Sequence, residues 1–230
     1  MIYSLKVSVL MGVCVFVSCK ETPAPEIAPS HQKTEPTPST KEEEISDYNT
    51  EEWTEITTDG TGIILDIRYA TTNNFTKEII YDCGRCFLRP EAASKLIALN
   101  EGIMERYKLR LKVFDCYRPR PAQQKLWAIV PNASYVTPPE KGSMHNRGMA
   151  IDLTLTDMEG LPLDMGTAYD HFGIEAHIDN LDLPEQVLAN RNLLKTMMKE
   201  IAYQGIRTEW WHYSYQEKYY DLSDWEWNCK

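Results

Sequence analysis

The chain has 230 residues, 43% of them hydrophobic and 25% charged, with a formal net charge of −10. That length and composition suit one sizeable globular core plus a leader. The acid excess has the wrong sign for nucleic acid or anionic lipid head groups, so no nucleic-acid partner is expected and partners should be small or neutral.

Residues 1–18, MIYSLKVSVLMGVCVFVS, carry one lysine, Lys6, followed by an uncharged apolar stretch from Val7 to Val17. Spanning a bilayer takes about 20 apolar residues, so this shorter stretch reads as the hydrophobic part of a signal peptide. The run FVSC at 16–19 sets a small residue before Cys19 and resembles a bacterial lipobox. The expectation is a lipidated Cys19, an exported protein at the periplasmic or cell-surface side, and membrane contact through that anchor only. An ordinary secretory signal cut nearby is the alternative.

Residues 19–48 hold five of the 13 prolines and almost no large apolar side chains until their end. Such a segment buries too little surface to offset its ordering entropy, and an extended tether is expected ahead of a catalytic domain at 49–230. Four cysteines fall in that domain: Cys83, Cys86, Cys116 and Cys229. An even number in an oxidising compartment predicts two disulfides, with three pairings open. The CGRC at 83–86 also suits a redox motif or half of a zinc knuckle, but no second CxxC completes a four-cysteine site.

Further along, GIILDIRYA at 62–70 reads as a strand from its β-branched residues Ile63, Ile64 and Ile67. Residues 89–107 form a helix in this reading, with Pro90 at the first position and Leu96, Leu99, Ile103 and Tyr107 on one face. A strand follows at 109–117, then a short helix entered through two prolines. In the strand at 148–156, Ile151, Leu153 and Leu155 alternate with Ala150, Asp152, Thr154 and Thr156, which puts Asp152 on the polar side. A second long helix fits 184–204, its apolar face carrying Val187, Leu194, Met197, Met198 and Ile201. Strands and helices interleave without a regular βαβ repeat, so the expected fold class is α+β: one compact domain with a small, mainly antiparallel sheet flanked by helices.

Three short pieces hold the residues with chemistry. GSMHNRGMAID at 142–152 offers His145 and Asp152, and EWWH at 209–212 offers Glu209 and His212. Two imidazoles and a carboxylate suit a borderline divalent metal with a position left for water, and a nearby glutamate suits a base for that water. In an ideal strand Glu209 and His212 point to opposite faces, so they share a site only through a bulge, a twist or a helical turn. In FDCYRPRPAQQ at 114–124, Arg118 lies between a strand and a proline turn, where a guanidinium can project into a cleft. On residue type alone each piece also fits a plainer role: a hydrogen-bonded histidine, a carboxylate at a turn, an aromatic core, or an arginine anchoring a loop.

Taken in order, FDCYRP, SMHNRGMAIDLTL and TEWWHY resemble the D-alanyl-D-alanine dipeptidases, the zinc enzymes of the vancomycin-resistance type. The likeness extends upstream to RYATTNNFT at 68–76 and covers essentially residues 60–215. It implies a small α+β domain with a narrow, capped pocket and one zinc ion per chain on His145, Asp152 and His212. It also implies Glu209 as general acid/base, Arg118 as transition-state stabiliser, and a free dipeptide as substrate. Ser143, Tyr69 and Asp170 fall at family positions lining the pocket, and Arg147 and Gly148 shape the loop between ligands.

The leader and the cysteines depart from the cytoplasmic resistance enzymes, which directs the expected role toward cell-wall peptide turnover or scavenging. The nearest rival is a zinc D,D-carboxypeptidase or endopeptidase acting on peptidoglycan stem peptides. A non-catalytic cell-wall-binding lipoprotein on the same fold is a rival of a different class.

Overall fold

A computed structural model describes residues 46–229; the expected leader, Cys19 and the tether through residue 45 lie outside the described residues. In chain order the elements are β1 (Thr54–Ile56), α1 (Thr58–Thr61), β2 (Ile64–Leu65), β3 (Cys86–Leu88), α2 (Pro90–Tyr107) and β4 (Leu109–Asp115). They continue with α3 (Arg120–Ile129), β5 (Ala150–Asp157), α4 (Glu185–Glu200), β6 (Tyr203–Ile206) and β7 (Glu209–Tyr215). Short 3-10 turns lie at Arg68–Ala70, His145–Arg147 and Ile174–Ala176.

Five strands form one sheet in the order β2, β4, β5, β7, β6, in which only the β2–β4 pairing is parallel. β1 and β3 make a separate antiparallel pair. This is the α+β class expected from the interleaving of elements.

Ile151, Leu153 and Leu155 of β5 enter the core with Leu111 and Val113 of β4, Leu96 and Ile103 of α2, and Leu194 and Met198 of α4. Each such side chain taken fully out of water contributes about 1.5–3 kcal/mol before entropy is charged against it. The alternating partners Asp152, Thr154 and Thr156 are buried as well, so β5 is covered on both faces.

Three element expectations shift. The strand read over 62–70 pairs only at Ile64 and Leu65, and the chain then turns at Arg68–Ala70. There the Asn74 side-chain amide donates to the carbonyls of Thr71 (2.7 Å) and Glu78 (2.8 Å), so backbone groups of the following loop are satisfied without a sheet ladder.

On α2 the buried face runs through Asn100, while Tyr107 is exposed. Asn100 donates to the Thr61 carbonyl (3.0 Å) and accepts from the Leu111 N–H (2.8 Å), satisfying two backbone groups from neighbouring elements. The helix read over 184–204 stops at Glu200, because Ala202 takes a left-handed φ of 63° and Tyr203 starts β6 opposite Tyr215.

The disulfides are Cys83–Cys229 and Cys86–Cys116, so the two cysteines of CGRC are not paired with each other. They close sequence separations of 146 and 30 residues. Chain-entropy arguments assign loops of this size about 3–5 kcal/mol each.

Gly148 ends the turn carrying His145 at φ 70°, and a Cβ there would lie 2.4 Å from the Trp53 ring. Both the left-handed backbone and that approach require glycine. Gly148→Ala should therefore destabilise the domain by about 2 kcal/mol or more, read as a lowered urea midpoint with an unchanged slope.

Candidate metal centre

The sheet places the chemistry by register. Asp152 of β5 pairs directly with Asp115 of β4 on one side and His212 of β7 on the other. Direct cross-strand partners project to the same face, so the three side chains stand in a row. Phe114 is the extra residue of a bulge between the Val113–Leu153 and Asp115–Asp152 pairs, and this bulge brings Asp115 into the row.

A larger irregularity resolves the Glu209 problem. Gly205 of β6 pairs with Tyr213, but the next residue, Ile206, pairs with Glu209, so Trp210, Trp211 and His212 have no partner on β6. The loss of strict alternation brings the Glu209 carboxylate to 4.0 Å from His212 Nδ1. The two tryptophans secure the bulge: both are buried, Trp210 Nε1–H donates to Thr167 Oγ1 (2.8 Å), and Trp211 packs edge-on to Tyr169 at 5.4 Å.

At the centre, His145 Nε2 lies 3.1 Å from His212 Nδ1 and 3.3 Å from Asp152 Oδ1, and His212 Nδ1 lies 3.0 Å from Asp152 Oδ1. His145 Nδ1–H donates to the Cys116 carbonyl at 2.7 Å, which leaves Nε2 as a lone pair facing inward. His212 turns its Nε2–H to Ser214 Oγ at 3.1 Å, and the Tyr169 hydroxyl donates to Asp152 Oδ2 at 2.9 Å.

With these tautomers three acceptor atoms face one point. A tetrahedral ion with bonds of about 2.0–2.1 Å separates its ligands by about 3.3 Å, close to the spacing observed, so the donor set fits a single divalent ion. With protons in place of a metal ion on the inward-facing nitrogens, burial would raise the Asp152 carboxyl, but a charged His145 and hydrogen bonds from both histidines would hold it below the usual carboxylate range.

Around the trio lies a cleft of about 500 Å³ that Glu209, Arg118, Ser143, Tyr69 and Asp170 also line. The eight residues read from the sequence as metal ligands, catalytic groups or pocket lining therefore share one cleft. Burial, reinforced by the Asp152 charge, pushes the Glu209 carboxyl up to about 7 against the opposing pull of His212 and Arg118. Asp170 is likewise raised well above the usual range, first by burial and then by the Asp152 charge. It sits at a left-handed φ of 59°, tolerable for aspartate, and accepts from the Tyr69 hydroxyl at 3.1 Å.

Arg118 is clamped. Its Nε–H and Nη2–H donate to Asp115 Oδ2 at 3.0 and 2.7 Å, its Nη1–H donates to Gln123 Oε1 at 2.9 Å, and the guanidinium lies 5.1 Å from the Tyr69 ring centre. Asp115 itself accepts from the Tyr81 hydroxyl at 2.7 Å. Asp115, Gln123 and Tyr169 are not singled out by the motifs alone. Asp115 carries a usable signal, a carboxylate three residues before an arginine, and Tyr169 adjoins Asp170; Gln123 carries none.

A buried His/Asp/His trio with a glutamate at its edge and an arginine locked beside it, set on an α+β sheet, defines a metallopeptidase. Sequence comparison agrees: the family model described as D-ala-D-ala dipeptidase matches residues 50–227. The chain is 38% identical over 149 residues to the D-alanyl-D-alanine dipeptidase of Escherichia coli, covering 65% of this chain and 77% of that protein. The enzyme of the same name from Enterococcus faecalis is 28% identical over 193 residues, covering 70% and 93% respectively. That from Enterococcus faecium is 29% identical over 184 residues, covering 70% and 90%. The chain belongs to the D-ala-D-ala dipeptidase family.

Tyr169→Phe removes one hydrogen bond from Asp152 while leaving the ring packing. It should weaken divalent-ion binding about 10- to 100-fold in chelator competition while costing about 1.5 kcal/mol or less of stability.

Proposed function

We propose that this protein is an exported, lipid-anchored, zinc-dependent D-alanyl-D-alanine dipeptidase that releases two D-alanines from dipeptide generated in cell-wall turnover. The observation carrying the reading is the β7 irregularity, which brings Glu209 to the donor trio in the same cleft as Arg118 and Asp170. Family membership and the names of the relatives support the substrate. A cleft of about 500 Å³ lies in the lower part of the range of small-molecule sites, about 300–1,000 Å³, as suits a dipeptide better than a stem peptide.

His145, Asp152 and His212 would hold the zinc, which when bound supplies Lewis-acid polarisation of a carbonyl and a lowered pKa for water. Glu209, buried at the edge of the donor trio, accepts a proton from the attacking water and returns it to the departing amine. Arg118 stabilises the developing oxyanion with the two N–H donors that Asp115 and Gln123 leave free. The substrate's ammonium supplies the counter-charge that the buried Asp170 carboxylate needs, with Tyr69 fixing that carboxylate's position.

Export and lipidation of Cys19 rest on the leader sequence, and the two disulfides of the domain are consistent with an oxidising compartment.

Glu209→Ala should lower kcat for D-Ala-D-Ala about 100- to 10,000-fold while metal content stays at the wild-type level. Chelation should abolish turnover and zinc restore it, with a stem pentapeptide cleaved poorly throughout. Pentapeptide hydrolysis alone would move the enzyme to the carboxypeptidases, and absence of both activities in zinc-loaded protein would leave a binding protein. In cells, Cys19→Ala should shift the protein from the membrane fraction to the soluble exported fraction, as read by fractionation and blotting.

A further inference from the structure

The residues after β7 return across the domain and close on the segment that carries Ser143 and His145. Leu222 lies over Gly142, where a Cβ would come within 2.3 Å of Leu222 Cδ2 and the backbone φ is 66°. The Ser223 N–H donates to the Asn146 carbonyl at 2.9 Å, and Arg147 Nη1–H donates to the Tyr220 carbonyl at 2.8 Å. Tyr219, which lies under the Arg147 guanidinium at 4.4 Å, also lines the cleft.

Asn146 is fully buried and passes this constraint inward. Its Oδ1 accepts from the Ser143 N–H (2.7 Å) and hydroxyl (3.1 Å), and its Nδ2–H donates to the Arg118 carbonyl (2.7 Å). The Arg118 N–H in turn donates to the His145 carbonyl at 3.1 Å. One asparagine thus ties together the backbones behind a donor, a cleft hydroxyl and the clamped arginine.

The other end of the returning segment is anchored three ways. The Tyr117 hydroxyl shares its one hydrogen between the carbonyls of Trp225 (2.7 Å) and Ser223 (3.1 Å), Trp225 stacks on Trp53 at 5.0 Å, and Cys229 is bonded to Cys83. An irregular segment of this length loses much backbone entropy on ordering, and the disulfide removes part of that loss by restricting the free chain.

We infer that residues 219–229 are a positioning strap for the active site: locked to Cys83, they hold residues 142–148 through Asn146, so that Ser143, His145 and the Arg118 backbone keep one geometry. The strap acts through the segment it holds and takes no part in proton transfer. The inference rests on the donor trio holding a divalent ion and is independent of which peptide is cleaved.

The test compares full-length wild type, the Cys83→Ser/Cys229→Ser double variant, and Leu222→Ala, which keeps the disulfide. Cobalt(II) affinity is measured by chelator competition, together with the visible spectrum of bound cobalt and urea unfolding of the metal-free proteins. The double variant should bind cobalt about 10- to 100-fold more weakly with an altered spectrum, and Leu222→Ala should move both in the same direction by less. Wild-type affinity and spectrum in the variants, with only the urea midpoint lowered, would reduce the strap to a stabilising element and overturn the inference. Should the double variant fail to fold, Leu222→Ala decides by the same readings. Failure of the wild type itself to bind cobalt would overturn the donor-trio reading and the strap with it.

Discussion

Two imidazole lone pairs and a carboxylate oxygen held within 3.0–3.3 Å of one another repel unless a cation lies between them, and the surrounding structure works against that repulsion. The groups that hold each donor come from different parts of the chain. The Cys116 carbonyl just beyond β4 orients His145, Ser214 within β7 orients His212, and Tyr169 from the loop before α4 orients Asp152. Sheet register then sets Asp152 and His212 opposite each other. No single element can relax the arrangement without breaking a hydrogen bond or a strand pair.

The same logic applies to Arg118. A buried ion pair with Asp115 is weak evidence of stability, because desolvating both charges offsets most of their attraction. Its value lies in orientation: three of the five guanidinium donors are committed and the ring of Tyr69 lies alongside, so a guanidinium that lines the cleft is held in one position. Removing Asp115 would leave an uncompensated buried cation. Tyr81 and the Cys116 N–H hold Asp115 in turn, which extends the supporting network to the β4 bulge and the Cys86–Cys116 disulfide.

Much of this was legible in the sequence, for identifiable reasons. Pro90 and the apolar spacing of α2, and the alternation in β5, are local patterns that survive in the fold. The identities of His145, Asp152, His212, Glu209 and Arg118 follow from motif resemblance. Their convergence does not, because it depends on pairing with other strands. Strict alternation would set Glu209 and His212 apart, and only the register slip against β6 brings them together. Asn100 in place of Leu99 on the buried face of α2, and Tyr203 as a strand residue, were illegible for the same reason: each answers to a partner distant in sequence. The disulfide pairing likewise depends on which loops the sheet brings together, and four cysteines in a line do not say.

β7 comes after β6 in the chain yet lies inside the sheet, between β5 and β6. Until residues 209–215 arrive, the β5 edge that bears Asp152 stays open, and an open edge is the surface through which partly folded chains pair with one another. His145 and His212 are 67 residues apart, so the donor set closes only when this late, non-local strand docks. A donor set divided between β5 and β7 forms only when these strands pair, so ion capture is coupled to that step of folding.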